Sequence, residues 1–403
     1  MRISILLTAA LAGPTHQLSP SPRSDKTLPA LQFRPDGTFR ITVFSDLHLG
    51  EAAQKPRGRA QDFKTIQVMS SVLEWESPDF VVLNGDLVTG EAVQRKSSGR
   101  FVDLAVAPLV ERNLTWGSAY GDHDHAFNLK SEKMLRREAR HRGSRTRKMV
   151  GAKTSGTSNY HVPVYAAACA DRLGRGCEPL LLLWFFDSRG GARYRKISEH
   201  GSVVPQPSWV DGSVVEWFSE THARLAARGN GTVPSLVFVH MPTGATAAAR
   251  GAVDPRRNPG VNDEPASPQS QGWCAEDAYR PASCGYGGFD APFLQALAGA
   301  AGIAGVFHAH DHGNTWCHRW EPRVPGTDAV GRGLNMCYGQ RTGYGGYGSW
   351  ARGGRQIVVT ARGPVAVETH IRLEDGSVVG RVRLNSTFGQ DRYGAAADGT
   401  RLS

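Results

Sequence analysis

Residues 40–50 read RITVFSDLHLG. The first half is a β-branched and aromatic run of strand type, and the second delivers an acid, Asp46, and an imidazole, His48, where that strand must end. The same construction recurs down the chain. DFVVLNG (79–85) leads into Asp86, and LTWGSAYG (114–121) into Asp122, His123 and Asp124. VPSLVFVH (233–240) ends on His240, while AGIAGVFHAH (301–310) carries His308 and His310 and is followed by His312. PLLLLWFFDS (179–188) is a further run of this kind. Helical stretches lie between them at 62–75, 101–112, 131–141, 212–228 and 289–300. Strand and helix in alternation predict parallel pairing under helical cover. Beyond residue 316 the texture changes to GRQIVVT, VAVETHIRL and SVVGRVRL with turn residues between, which predicts antiparallel strands forming or completing a second sheet. The expected fold class is α/β, a two-sheet sandwich flanked by helices.

The 403 residues could form one large domain or two ordinary ones, and 40% hydrophobic with 21% charged residues is a globular composition. Residues 1–12 read as a signal peptide: Arg2, an apolar run, then Ala10-Leu11-Ala12 in small-x-small form. No later stretch approaches the roughly 20 apolar residues of a membrane helix, so a secreted, soluble chain is expected. Six cysteines suit an oxidising compartment and allow 15 pairings. Proximity in sequence suggests Cys169 with Cys177, Cys274 with Cys284, and Cys317 with Cys337; no Cys-x-x-Cys pair argues for zinc instead. Sequons at Asn113, Asn230 and Asn385 agree with a glycosylated, extracellular protein. Residues 39–385 are expected as a single domain, with 250–288 a long surface loop and 13–38 and 386–403 mobile ends. No internal repeat or heptad pattern occurs.

The formal charge of +10 fits attraction to anions, or plain solubility. Much of it lies in KMLRREARHRGSRTRK (133–148), which reads as a solvated basic helix and loop, or as a feature steering anions to the adjacent Asp-His run.

In parallel sheets ligands gather at the carboxyl ends of strands, and here five such ends carry acids or imidazoles. Oxygen ligands come from the first three and imidazoles from the last two, a donor set suited to Zn, Mn or Fe. Two divalent ions ~4 Å apart repel strongly and need a bridging carboxylate, for which Asp86 is the natural candidate. A hydroxide held between two such ions attacks phosphoryl groups at neutral pH, so the pattern points to phosphoester hydrolysis.

Asp-x-His, Gly-Asp, Gly-Asp-His-Asp, His and Ala-His-x-His in this order, from about residue 39 to 360, resemble the calcineurin-like metallophosphoesterases. The wording of NYHVPV, LWFFDSRGG, VFVHMP, HDHGNTWC and MCYGQRTGYGGYG is similar to a secreted fungal and plant branch related to purple acid phosphatases. The resemblance implies the αββα sandwich of that family. It implies one metal on Asp46, His48 and His312 and a second on Asp122, His240 and His310, with Asp86 shared. It places His123 beside a phosphate oxygen, as charge stabiliser or proton donor, and Asp124 as the group that orients it. No Tyr stands four residues into the Gly-Asp segment, so a purple ferric site is not expected.

Two departures stand out. Ala309 replaces a family glycine, and Asp122 replaces the family's asparagine, adding a negative charge that weakens Lewis acidity and repels a phosphate dianion. His125 and His308 match no family position and read as supporting or surface imidazoles, with phosphate contact the alternative for each. The Gly-rich stretch 337–348 reads as a structural turn beside the site rather than a phosphate cradle. The expected activity is a secreted, dinuclear-metal phosphomonoesterase acting on a phosphorylated small molecule or protein. A phosphodiesterase or nuclease on the same core, and a metal-binding homologue weakened by Asp122, are the alternatives. The oligomeric state is left open.

Overall fold

The computed structural model describes residues 29–169, 176–228, 232–264, 270–273, 285–361 and 365–394. In chain order these form β1 (Leu31–Gln32), β2 (Thr38–Phe44), α1 (Pro56–Glu76), β3 (Phe80–Asn84), α2 (Ser98–Glu111), β4 (Trp116–Ala119) and α3 (Ser131–Glu138). There follow β5 (Tyr160–Tyr165), β6 (Leu181–Phe186), β7 (Ala192–Ile197), β8 (Val203–Pro205), α4 (Gly212–Arg228), β9 (Ser235–Val239), α5 (Gly244–Ala249) and α6 (Ala291–Gly299). The chain continues with β10 (Ile303–His308), β11 (Cys317–Trp320), β12 (Leu334–Tyr338), β13 (Gly353–Thr360), β14 (Ala366–Leu373) and β15 (Val378–Leu384).

Two large sheets result. A six-stranded sheet runs β15-β14-β13-β2-β3-β4, with β2, β3 and β4 parallel and β13 to β15 joining antiparallel on the other side of β2. A seven-stranded sheet runs β1-β5-β6-β9-β10-β12-β11, parallel from β6 through β12. The strands read as unbroken apolar runs because both of their faces are covered. In β6, Leu181, Leu183 and Phe185 enter the core between the sheets, while Leu182, Trp184 and Phe186 pack outward on α4 and α6. The six-stranded sheet does the same, Ile41 and Val43 facing inward and Phe44, Val81 and Leu83 lying under α1 and α2. Each such fully buried side chain contributes about 1.5–3 kcal/mol of hydrophobic stabilisation. The αββα sandwich is therefore a direct consequence of two-faced burial.

The expected strands and helices all appear. Six strands escape the sequence pattern for separate reasons, the first being β1, which is only two residues long. β5 contains Pro163, which argues against a strand but is tolerated beside the short edge strand β1. β7 is charged and largely exposed, β8 is three residues long, and β11 and β12 mix polar with apolar residues.

Both expected ends need correction where they are described. Leu31 and Phe33 are buried, with β1 hydrogen-bonded to β5, and Phe388 packs into the inter-sheet core, so neither 29–38 nor 386–394 is a mobile end. The signal-peptide stretch 1–12 lies outside the described residues. So do Asn230, Cys274 and Cys284. Disulfides join Cys169 to Cys177 and Cys317 to Cys337, the latter linking directly opposed residues of β11 and β12. No helix among the described residues is long and apolar enough to cross a membrane.

Candidate metal centre

The parallel strands of the two sheets end side by side, and the chain turns sharply at each end. Asp46, His48, Asp86 and His310 all adopt positive φ (53°, 47°, 53° and 74°), a region that costs a non-glycine residue about 1–3 kcal/mol and is held only where surrounding bonds dictate it. Those bonds are present. Asp46 N–H donates to Gly85 O (3.0 Å), His48 N–H to Asp86 O (2.9 Å), and Ala309 N–H to His240 O (2.8 Å), so neighbouring turns are stitched together within each sheet. Gly85 sits at φ +91° against the His240 ring, where a Cβ would come within 2.2 Å of Nδ1.

Two clusters of buried side chains follow. One gathers Asp86, Asp122, His240 and His310; the other gathers Asp46, His48 and His312. Asp86 Oδ2 lies between them, 3.1 Å from His240 Nε2 and 3.7 Å from His48 Nε2. Asp122 Oδ1 is 3.1 Å from His310 Nδ1, and His48 Nε2 is 3.2 Å from His312 Nε2.

The donor atoms fit cations. His240 Nδ1 and His312 Nδ1 lie 2.8 Å and 3.0 Å from the carbonyls of Asn84 and Tyr347, which accept only, so each imidazole carries its proton there and turns the Nε2 lone pair inward. His240 Nε2 and Asp122 Oδ1 are buried without a hydrogen-bond partner, a state that costs about 1–3 kcal/mol per group unless an ion satisfies it. Ligands ~2.1 Å from one ion stand roughly 3.0–3.4 Å apart, which matches the 3.2 Å between the His48 and His312 nitrogens.

The electrostatics demand positive charge. Burial and the Asp122 carboxylate push Asp86 up, yet His240 and His123 beside it hold it down at about 2. Burial opposes protonation of His240 and His310, but Asp86 and Asp122 respectively raise them, His310 to about 9. Burial, reinforced by the Asp86 carboxylate and opposed by His240, holds Asp46 up at about 6. Ions must displace protons from these imidazoles, so metal binding should release protons and weaken as pH falls through about 9, the value to which Asp122 raises His310. Calorimetric metal titrations in buffers of different ionisation enthalpy check this; a pH-independent affinity would contradict it.

His123 stands at the mouth, and its surroundings correct one expectation. Its backbone N–H donates to Asp86 Oδ1 (3.0 Å), and its ring Nδ1 meets Glu91 Oε1 at 2.6 Å. Asp124 does not orient the ring. Its carboxylate instead accepts the amides of Gly121, Leu87 and Val88 at 3.0–3.3 Å, tying the β4 turn to the β3 turn. Burial opposes a proton on His123, but Asp86, Asp122 and Glu91 together raise it well above the usual range. Glu91 had no sequence signal beyond its place five residues after Asp86.

The remaining residues sort themselves. His125 is buried and bonded to Asp187 (2.9 Å), and His308 is buried; neither belongs to the two clusters. The described part of 250–288 is more than a surface loop: Gln271 is buried, and Glu264 binds the Gly313 amide (2.8 Å) and the Tyr347 hydroxyl. Tyr347 in turn stacks on His312, with centroids 4.1 Å apart. The Gly-rich stretch is a structural turn, as read: Arg341 donates to the carbonyls of Gly343, Gly345, Tyr347 and Gly348. Gly346, at φ +71°, passes the His312 ring where a Cβ would lie 2.8 Å from Cε1. In the basic stretch, Arg137 pairs with Asp103 and Lys148 with Glu132. Asn113 is exposed, and Asn385 Oδ1 accepts from Thr387.

A helix-covered double sheet with two ligand clusters at adjoining strand ends defines a dimetal-hydrolase type of architecture. Residues 39–314 match the family model of the calcineurin-like phosphoesterases, and the chain belongs to that family. It is 25% identical over 343 residues to a protein of Arabidopsis thaliana named probable inactive purple acid phosphatase 14, covering 80% of this chain and 75% of that one. It is 24% identical over 364 residues to probable inactive purple acid phosphatase 29 of the same plant, covering 85% and 82%. Among solved structures, a dimetal phosphatase from Danio rerio aligns at 13% identity and a TM-score of 0.48, over 86% of this chain and 98% of that one.

Proposed function

We propose that the chain is a secreted phosphomonoesterase that uses two metal ions, drawn from Fe, Zn and Mn, to hydrolyse a phosphorylated small molecule or protein. The observation that supports this most strongly is Asp86 Oδ2 lying between the two ligand clusters with His123 bonded to the same carboxylate. On this reading Asp46, His48 and His312 would hold one ion and Asp122, His240 and His310 the other, with Asp86 available to both. Bound divalent ions supply a water nucleophile at neutral pH and neutralise charge on the phosphoryl group. His123, anchored through Nδ1 by Glu91, keeps a proton on Nε2 and delivers it to the leaving oxygen. Two disulfides favour an oxidising compartment. A phosphoester panel with the metal-loaded protein, comparing monoesters with diesters, tests the activity; preference for diesters would reject the monoesterase reading.

Asp122 favours a second reading, a metal-binding protein of low turnover. Its carboxylate sits inside the ligand cluster and brings a full charge where phosphate must approach. Asp122→Asn should therefore raise kcat for a generic phosphomonoester about tenfold, or ~1.4 kcal/mol off the barrier. Equal or lower turnover at full metal occupancy would show that this charge does not limit the enzyme.

A further inference from the structure

Outside the metal centre, a cavity of about 280 Å³ opens between the start of α3, the loop around Lys153 and β7. Its walls carry Lys130, Lys153, Arg189 and Arg193 against a single acid, Glu132. Glu132 is already met by Lys130 and Lys148, each at 3.7 Å. Arg189 is fixed in place by bonds to Trp209 O (2.9 Å), Thr154 O (3.1 Å) and Asp211 (3.2 Å), which meets its charge, so it braces the cavity wall while Lys153 and Arg193 stand exposed. The first turn of α3 forms another wall, and its N-cap residue Lys130 supplies no side-chain acceptor for the turn's amides. None of the residues in the two metal clusters lines the cavity.

We propose that this cavity binds a small molecule through a tetrahedral oxyanion group, phosphate or sulfate. Lysine ammonium groups, an arginine fork and a helix start are complementary to such a group, and the volume, just below the roughly 300–1,000 Å³ of small-molecule pockets, suits one compact ligand rather than a polymer. The cavity is also wired to the metal centre. Ala192 at the start of β7 donates its amide to His125 O (2.7 Å), and Gly191 lies so close to the Asp122 turn that a Cβ would fall 2.1 Å from Asp122 O.

Equilibrium dialysis of the metal-loaded full chain against radiolabelled inorganic phosphate tests the proposal. The wild type should bind two equivalents, one per site. Lys153→Glu with Arg193→Glu, both at exposed positions, should bind one, with metal content and hydrolysis of p-nitrophenyl phosphate unchanged. A Lys153→Gln and Arg193→Gln pair should show at least tenfold weaker binding at the same site. Retention of both equivalents by the reversed pair would overturn the proposal. Failure of the phosphoesterase reading is distinguishable, since the wild type would then bind one equivalent and the reversed pair none. Competition by a hexose bisphosphate separates the sources: free phosphate resists displacement if the cavity takes the inorganic ion, and is displaced if it takes the phosphate of an ester.

Discussion

Replacing Asp86 by alanine is expected to lower phosphomonoester turnover by roughly a thousandfold or more and to reduce bound metal from two ions to one or none. The Asp86 oxygens reach both clusters and the mouth: Oδ2 approaches His240 Nε2 (3.1 Å) and His48 Nε2 (3.7 Å), while Oδ1 accepts the His123 amide (3.0 Å). Its removal leaves two groups of imidazoles with less anionic charge between two cations that repel one another. Asp86→Asn separates charge from packing, because it keeps the amide acceptor for His123 and loses only the negative charge. Metal analysis alongside steady-state kinetics checks both variants. An alanine variant that kept two ions and wild-type rate would remove Asp86 from the site.

His123→Ala is expected to cost about 10²–10⁴ in kcat with metal content preserved, since a positioned proton donor contributes about that much. Glu91→Gln should cost about 10–100-fold, the usual range for a group that orients a functional imidazole. The two effects differ in pH dependence. Glu91 is one of three carboxylates that raise His123, so its neutralisation lowers that pKa, and the protonated donor is lost at a lower pH. The alkaline limb of the kcat profile should therefore move to lower pH in Glu91→Gln. A His123→Ala enzyme within twofold of wild type, or a Glu91→Gln profile that does not move, would place the proton elsewhere.

The sequence exposed the residues whose surroundings repeat and hid those whose roles depend on a single distant contact. Asp46, Asp86, Asp122, His240 and His310 were legible because each follows a strand buried on both faces, and such a strand leaves a continuous apolar run. Asp124 was placed near the site, yet its role was misread: a motif names residue types, whereas the direction of the carboxylate is set by the Leu87, Val88 and Gly121 amides. Glu91 was invisible for the opposite reason, because a lone exposed acid in a turn has no pattern until the fold brings His123 beside it. Tyr347 and Glu264 join across 83 residues to close the rim over His312, a contact no local spacing encodes. Likewise β7 lacks an apolar face, because its outer side faces solvent and its start pairs with the turn at His125.

The most direct test of the dinuclear centre is an anomalous difference map from crystals of the metal-loaded protein, collected at the absorption edge of the metal found by elemental analysis. Two peaks should flank the Asp86 carboxylate, one within bonding distance of His48 and His312 and the other of His240 and His310. A single peak, or peaks that avoid Asp86, would contradict the account.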